Sequence, residues 1–195
     1  MNDKQQPKIL AFAGSTREAS YNKKLVKIAA EGAKAAGAEV TYVDLRDLPM
    51  PLYDEDLEAK EGIPENVRNF KELMKANQGL LIACPEYNSS ITPVLKNAID
   101  WASRPEPGEP GLACFTGKVA ALMSASPGGL GGLRGLIHVR SILSSINVLV
   151  LPAQNAIPSA FQAFDEEGRL KDATQQAAVE QLGSKLTTVV AKLGD

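Results

Sequence analysis

At 195 residues, with 44% hydrophobic and 23% charged side chains, the chain has the size and composition of one globular domain spanning 1–195 whose core needs no disulfides. A formal net charge of −2 supplies no bulk positive field, which argues against electrostatic binding to nucleic acid or an anionic membrane. Cys84 and Cys114 make neither a disulfide framework nor a zinc site, and no segment reads as a membrane span or a secretory signal, so a cytoplasmic protein is expected.

In chain order, apolar runs alternate with helical periodicity. A strand is predicted at Lys8–Ala13, feeding directly into the polar turn Gly14–Asn22 and a helix over Tyr21–Ala36 that Gly37 can stop. A strand at Glu39–Asp44 precedes an acidic, proline-containing excursion at Arg46–Ile63 and a helix over Pro64–Ala76. The strand Gly79–Cys84 leads through Pro85–Ile91 into a helix at Thr92–Ala102, then into the Pro/Gly-rich stretch Arg104–Gly117. The strand Lys118–Ser124, the loop Ser124–Gly132 and a helix over Gly132–Ser145 follow, then a strand at Asn147–Leu151. A last helix at Ala173–Leu193 aligns Ala178, Leu182, Leu186, Val189 and Leu193 on one stripe.

The strands are rich in Val, Ile, Leu and Ala with little alternation, as in strands covered by helices on both faces. The pattern implies an α/β fold, a three-layer doubly wound domain on a parallel five-stranded sheet. Two strand orders suit it, a dinucleotide-binding order and 2-1-3-4-5. The excursions at Arg46–Ile63 and Arg104–Gly117 are long enough to form functional edges or subunit contacts.

In such a sheet a ligand sits outside the carboxyl ends of the strands, so the loops that follow them carry the functional reading. After the first strand, Gly14–Asn22 combines a helix N-terminus with the hydroxyls of Ser15, Thr16 and Ser20, the Asn22 amide and the Arg17 fork. That set suits a phosphate, although capping alone explains every group except Arg17, which has no acceptor to offer the backbone. After the third strand, Pro85, Tyr87 and Asn88 provide a fixed bend, a flat face and an amide suited to a planar heterocycle, while Glu86 reads as a solvated or subunit-contact carboxylate. After the fourth, Ser124–Gly132 has four glycines in nine residues, the mark of close ligand approach or mobility.

Several chemistries are missing. Gly129-x-Gly131 is followed by Arg134 where a dinucleotide fingerprint needs its third glycine, and Gly111…Gly117-Lys118 misses the Walker spacing. There is no Gly-x-Ser-x-Gly elbow, and His138 is the sole histidine, on a predicted helix surface. Cys84 and Trp101 read as core residues. Without an acid–base pair or metal cluster, a phosphate site beside a flat slot suits a protein whose cofactor does the chemistry, with no catalytic side chain of its own and no metal.

Three segments in order carry a resemblance: Gly14-Ser-Thr-Arg-Glu-Ala-Ser-Tyr-Asn-Lys-Lys-Leu25, Pro85-Glu-Tyr-Asn-Ser-Ser-Ile91 with Leu95-Lys-Asn-Ala-Ile-Asp-Trp101, and Gly117-Lys-Val-Ala-Ala-Leu-Met-Ser-Ala-Ser-Pro-Gly-Gly129. Together they resemble the NADPH-dependent FMN reductase family of flavodoxin-like quinone, chromate and azo-dye reductases. The resemblance implies the 2-1-3-4-5 order, bound FMN, NADPH or NADH as hydride donor, and a quinone-like or other small electron acceptor or free flavin. By resemblance, Ser15, Arg17, Ser20 and Asn22 hold the FMN phosphate. Pro85, Glu86, Tyr87 and Asn88 flank the ring edge, and Ser124, Ser126, Pro127, Gly128 and Gly129 lie on its other side. Assembly as a homodimer or homotetramer is implied as well. Where many members read Ser-Ile-Pro-Gly, this chain has Ser90-Ile-Thr-Pro93, a proline shifted by one beside the ring. The rival reading is a flavin-carrying electron-transfer or regulatory module with no nicotinamide reaction of its own. A Rossmann dehydrogenase is disfavoured by the missing fingerprint.

Overall fold

The computed structural model describes residues 6–194. In chain order the elements are β1 (Lys8–Ala13), α1 (Tyr21–Ala35), β2 (Glu39–Val43), α2 (Glu55–Glu61), α3 (Glu65–Ala76), β3 (Gly79–Ala83), β4 (Glu86–Tyr87), β5 (Ser90–Ile91), α4 (Pro93–Ala102), β6 (Val119–Ala125), α5 (Leu133–Ser145), β7 (Leu149–Ile157), α6 (Ala160–Ala163) and α7 (Ala173–Leu193). The main sheet is parallel with order β2-β1-β3-β6-β7, which is the 2-1-3-4-5 order of the flavodoxin-like expectation. β1 and β3 lie side by side in the centre, from Ile9 opposite Gly79 to Ala13 opposite Ala83.

Every residue of β3 and β6 is buried because both faces are covered. Ile9, Ala11, Leu81, Ala121 and Met123 pack beneath α1 and α7, whereas Leu10, Phe12, Leu80, Ile82 and Leu122 pack against α3, α4 and α5. The α1–α7 contact is unusually close. A Cβ on Gly32 would stand 2.0 Å from the Glu180 carbonyl oxygen, and one on Gly183 would stand 1.9 Å from that of Ala29. Replacing Gly183 by alanine should therefore force the helices apart and cost about 1–3 kcal/mol in urea denaturation. An unchanged midpoint would mean the helices can separate freely.

Three features lay beyond the sequence pattern. β7 extends to Ile157, past the predicted end at Leu151. Its pairing jumps from Ala120–Val150 to Leu122–Gln154, so the segment around Pro152, which has no N–H for the ladder, bulges from this edge strand. The Arg46–Ile63 excursion contains α2, which buries no residue and so leaves no apolar periodicity to read; Asp54 caps it by accepting from Asp56 N (2.8 Å) and Leu57 N (3.3 Å). Pro85–Ile91 is a hairpin, with Asn88 and Ser89 both at positive φ in a two-residue turn between β4 and β5.

The other excursion, Arg104–Gly117, is bound down on the chain itself. Lys71 on α3 is 1% exposed, and its ammonium donates to Arg104 O (2.8 Å), Glu106 Oε2 (3.2 Å) and Glu109 Oε2 (2.8 Å). Lys75 and Arg68 add further pairs to Glu109 and Glu106. This network precedes β6 and so lies at the amino ends of the strands, opposite the end where the functional loops gather.

Candidate functional site

The carboxyl ends of β1, β3 and β6 open into three loops, and side-chain-to-backbone hydrogen bonds bind these loops to one another. Asn22, in the first turn of α1, donates to Ala125 O (2.8 Å) and accepts from Ala125 N (3.0 Å), tying the first loop to the end of β6. The Thr92 hydroxyl donates to Gly14 O (2.7 Å), tying the third-strand loop to the first. The Ser124 hydroxyl donates to Cys84 O (2.7 Å), tying β6 to the end of β3. All three of these polar side chains are buried, and each is hydrogen-bonded to the backbone of a neighbouring loop.

Together the ties shape an open cleft of about 210 Å³. Ser15, Arg17, Ser20 and Tyr21 line one end; Pro85, Glu86 and Tyr87 form one wall, and Ala125, Ser126 and Pro127 the other. The first end is built for an anion. α1 begins with Ser20 as N-cap in extended backbone, yet no side chain caps its first N–H groups, and no acid lies in its first turn. Arg17 is exposed, has no carboxylate partner among the described residues, and rests its guanidinium carbon 5.1 Å from the centre of the Tyr21 ring. The Ser15 hydroxyl accepts from Arg17 N (3.2 Å), a side-chain-to-backbone bond that tightens the turn leading into α1.

The two walls are held by different bonds, side-chain bonds to α5 on one side and backbone bonds to Ile157 and Ala160 on the other. Glu86 is not a solvated carboxylate as its sequence context implied: its side chain is 8% exposed. It accepts from Gly135 N (3.0 Å) near the start of α5 and from Arg134 Nη2 (2.8 Å) and Nε (3.1 Å). Burial pushes its pKa up, but the Gly135 amide and the Arg134 guanidinium outweigh that and hold it below the usual carboxylate range. Ser90 Oγ and His138 Nδ1, 3.0 Å apart, join the far strand of the hairpin to the same helix. Fixed at its base, the hairpin presents Tyr87, 58% exposed, at the cleft edge, with Asn88 exposed at its tip. On the opposite wall, the Ser126 hydroxyl accepts from Gly128 N (3.2 Å); Gly128 and Gly129 are exposed, with open space at the Gly129 Cα and only an ordinary contact, 3.8 Å to Ser126 Oγ, for a Cβ on Gly128. Gly132 cannot be replaced so freely: φ is +90°, and a Cβ there would meet Ser124 Oγ at 1.9 Å.

Of the residues expected at the site, Ser15, Arg17, Ser20, Asn22, Pro85, Glu86, Tyr87, Ser126 and Pro127 line the one cleft. Asn88, Gly128 and Gly129 are exposed and adjoin lining residues in sequence without lining the cleft themselves, and Ser124 is buried with its hydroxyl on Cys84 O. Sequence reasoning gave no role to Tyr21 and Ala125, although both lie inside the quoted segments, and it missed Thr92 as a cap. A threonine directly before a proline is a helix-start signal: Thr92 caps α4 by accepting from Leu95 N (3.2 Å), and Pro93 takes the first helical position. The shifted proline thus leaves the helix start intact. His138 is exposed on α5 and Cys84 is buried, the latter with its thiol pushed well above its ordinary pKa by desolvation. Trp101 is fully buried, with Nε1 donating to Pro51 O (2.8 Å).

Known proteins resemble this chain in sequence and in fold. Residues 7–162 match the family described as NADPH-dependent FMN reductase. An NAD(P)H-dependent FMN reductase of Pseudomonas aeruginosa is 40% identical over 187 residues, covering 95% of this chain and 96% of that protein. An NAD(P)H:quinone oxidoreductase of Solanum tuberosum is 39% identical over 85% of this chain and 83% of its own length. Among solved structures, a flavoenzyme NAD(P)H:(acceptor) oxidoreductase of Paracoccus denitrificans superposes with a TM-score of 0.80 at 26% identity, covering 95% of this chain and 98% of that one.

Proposed function

The chain belongs to the NADPH-dependent FMN reductase family, and on that premise we propose that the cleft binds FMN and that the protein passes electrons from NAD(P)H to quinone-type acceptors. The observation that carries this reading is the uncapped start of α1 beside Arg17, which has no carboxylate partner among the described residues, at one end of a slot walled by Tyr87 and by Ala125, Ser126 and Pro127. The residues present fit the cofactor: free amides, the Ser15 and Ser20 hydroxyls and Arg17 would hold its phosphate, and the two walls would enclose its ring.

FMN held there would supply the redox chemistry between NAD(P)H and the acceptor. The chain orients. Asn22, Thr92 and Ser124 keep the two walls at a fixed separation, and Glu86 anchors the hairpin that sets the position of Tyr87. Among the described residues Glu86 is the acid that lines the cleft, and it is committed to Arg134 and Gly135. Assembly into dimers or tetramers is part of the proposal; the exposed Leu130, Leu133 and Ile137 form an apolar face that such an assembly would cover.

The test is anaerobic. Protein loaded with FMN and freed of excess by gel filtration should keep its flavin absorbance, lose it on addition of NADPH or NADH, and regain it with a benzoquinone. A protein that retains no flavin, or whose flavin neither nucleotide bleaches, would falsify the reading. Changing Arg17 to alanine should weaken FMN binding by about 1.5–3 kcal/mol, the worth of a hydrogen bond to a charged group, and leave riboflavin binding nearly unchanged. Equal losses for FMN and riboflavin would remove Arg17 from the phosphate.

A further inference from the structure

The flavin-reductase reading leaves open which nucleotide delivers the hydride, and a feature beside the cleft bears on it. A nicotinamide dinucleotide has two backbone phosphates, NADPH has a third on its adenosine ribose, and this arm must rest on surface continuous with the cleft. Two depressions adjoin it. The one at Thr16 is lined by Leu45, Leu48, Pro49, Met50 and Val94, with Thr16 and Asn97 as its polar residues and no charged residue. The one beyond Tyr21, about 500 Å³ in volume, is lined by Tyr21, Phe161 and Phe164 with Lys24 and Lys171, and by Asp165 and Glu166.

The second depression is an aromatic floor with cations set into it. The Tyr21 ring, which also lines the FMN cleft, stacks on Phe164 with centroids 5.8 Å apart and 10° between planes. Lys24 Nζ lies 6.0 Å from the centre of Phe164, and Phe161 is 58% exposed. Among the described residues neither Lys24 nor Lys171 has a carboxylate within 4.0 Å. Asp165 is offset by Arg169, whose N–H it accepts at 2.8 Å and whose Nε lies 3.7 Å from it. Among the described residues Glu166 has no cation within 4.0 Å.

We propose that this depression is the subsite for the phosphorylated adenosine arm of the electron donor, with Lys24 and Lys171 binding a ribose 2′-phosphate, so that the protein selects NADPH over NADH. The exposed Phe161 face suits the adenine ring, since a base has a π-face that stacks on an aromatic side chain. The apolar depression at Thr16 cannot compete for a polyanion, because moving phosphates against uncharged walls forfeits their hydration without replacing it.

The test uses FMN-loaded protein, so that the flavin occupies the α1 terminus and cannot be confused with the subsite. By titration calorimetry, adenosine 2′,5′-bisphosphate should bind at least about tenfold tighter than adenosine 5′-monophosphate, with an advantage that shrinks as salt is added. In the double variant Lys24→Gln/Lys171→Gln that advantage should fall to within about twofold, and the ratio of kcat/KM for NADPH over NADH should drop at least about tenfold, with the flavin spectrum as the control for folding. Glu166→Gln should tighten bisphosphate binding. A bisphosphate advantage that survives the loss of both lysines, or equal losses for NADPH and NADH, would overturn the assignment. Failure of the reductase reading looks different. There, neither nucleotide bleaches the flavin of the unaltered protein, and the subsite falls with it for want of a donor.

Discussion

Replacing Asn22 by alanine should produce the largest loss of flavin binding of any single change that touches neither the phosphate nor the ring. The Asn22 amide both donates to and accepts from the backbone of Ala125, inside a buried junction between the first turn of α1 and the end of β6. Its removal strands one buried N–H and one buried C=O, at about 1–3 kcal/mol each. It also frees the Ala125–Pro127 wall from the loop that carries Ser15 and Arg17, so cleft geometry and stability fail together. Asn22→Asp separates the two halves of the bond. A carboxylate still accepts from Ala125 N but faces the Ala125 carbonyl without a proton, and it recovers a donor only once protonated. The aspartate variant should therefore retain FMN poorly at neutral pH and partly recover as pH falls through the introduced carboxyl's pKa. Measured FMN dissociation constants for both variants within threefold of the parent would show that the cleft walls hold their places without this tie.

Lys71 should be the costliest charged residue to lose. Its ammonium is enclosed by Glu106, Glu109 and the Arg104 carbonyl at the amino ends of the strands. Lys71→Met leaves two carboxylates facing each other with one neutralising partner fewer, a change expected to destabilise by about 3–5 kcal/mol in urea denaturation. Flavin retention below the unfolding transition should hardly move, because the network and the cleft occupy opposite ends of the sheet. A destabilisation below about 1 kcal/mol would mean the network is solvated in solution. The same cluster sets an acid limit. Hydrogen bonds from Lys71 and Lys75 hold the Glu109 pKa at about 2, against an ordinary value of 4.5. A carboxyl depressed in the folded state stabilises fully above its unfolded pKa. That contribution is lost as pH falls from about 4.5 toward about 2, and Glu109→Gln should flatten the stability profile across that window.

The network also explains why Arg104–Gly117 reads poorly. Its fold is held by long-range charge pairs to α3, more than thirty positions away in sequence, and charge pairs leave no periodic pattern. Asn22 was legible as a functional residue but not in its working role: the motif marks the position, and only the approach of β6 shows that the amide is spent on Ala125. Glu86 is a similar case, since nothing near it in sequence announces that Arg134 and Gly135 will meet it. Lys24 and Lys171 were invisible as a pair for the same reason.

What the sequence by itself determined was the alternation of strands and helices, because a strand covered on both faces must be continuously apolar and the helix that covers it must repeat every 3.6 residues. It also located the polar loops after β1, β3 and β6, and the motifs in them identified the family, since amides, hydroxyls and an arginine at a helix start are a local chemistry. The tertiary structure alone decided which of those side chains face the cleft and which are consumed in holding it open. Partners in a hydrogen bond or ion pair are chosen by proximity in space, and in a parallel sheet the groups that meet at one end come from loops dozens of residues apart.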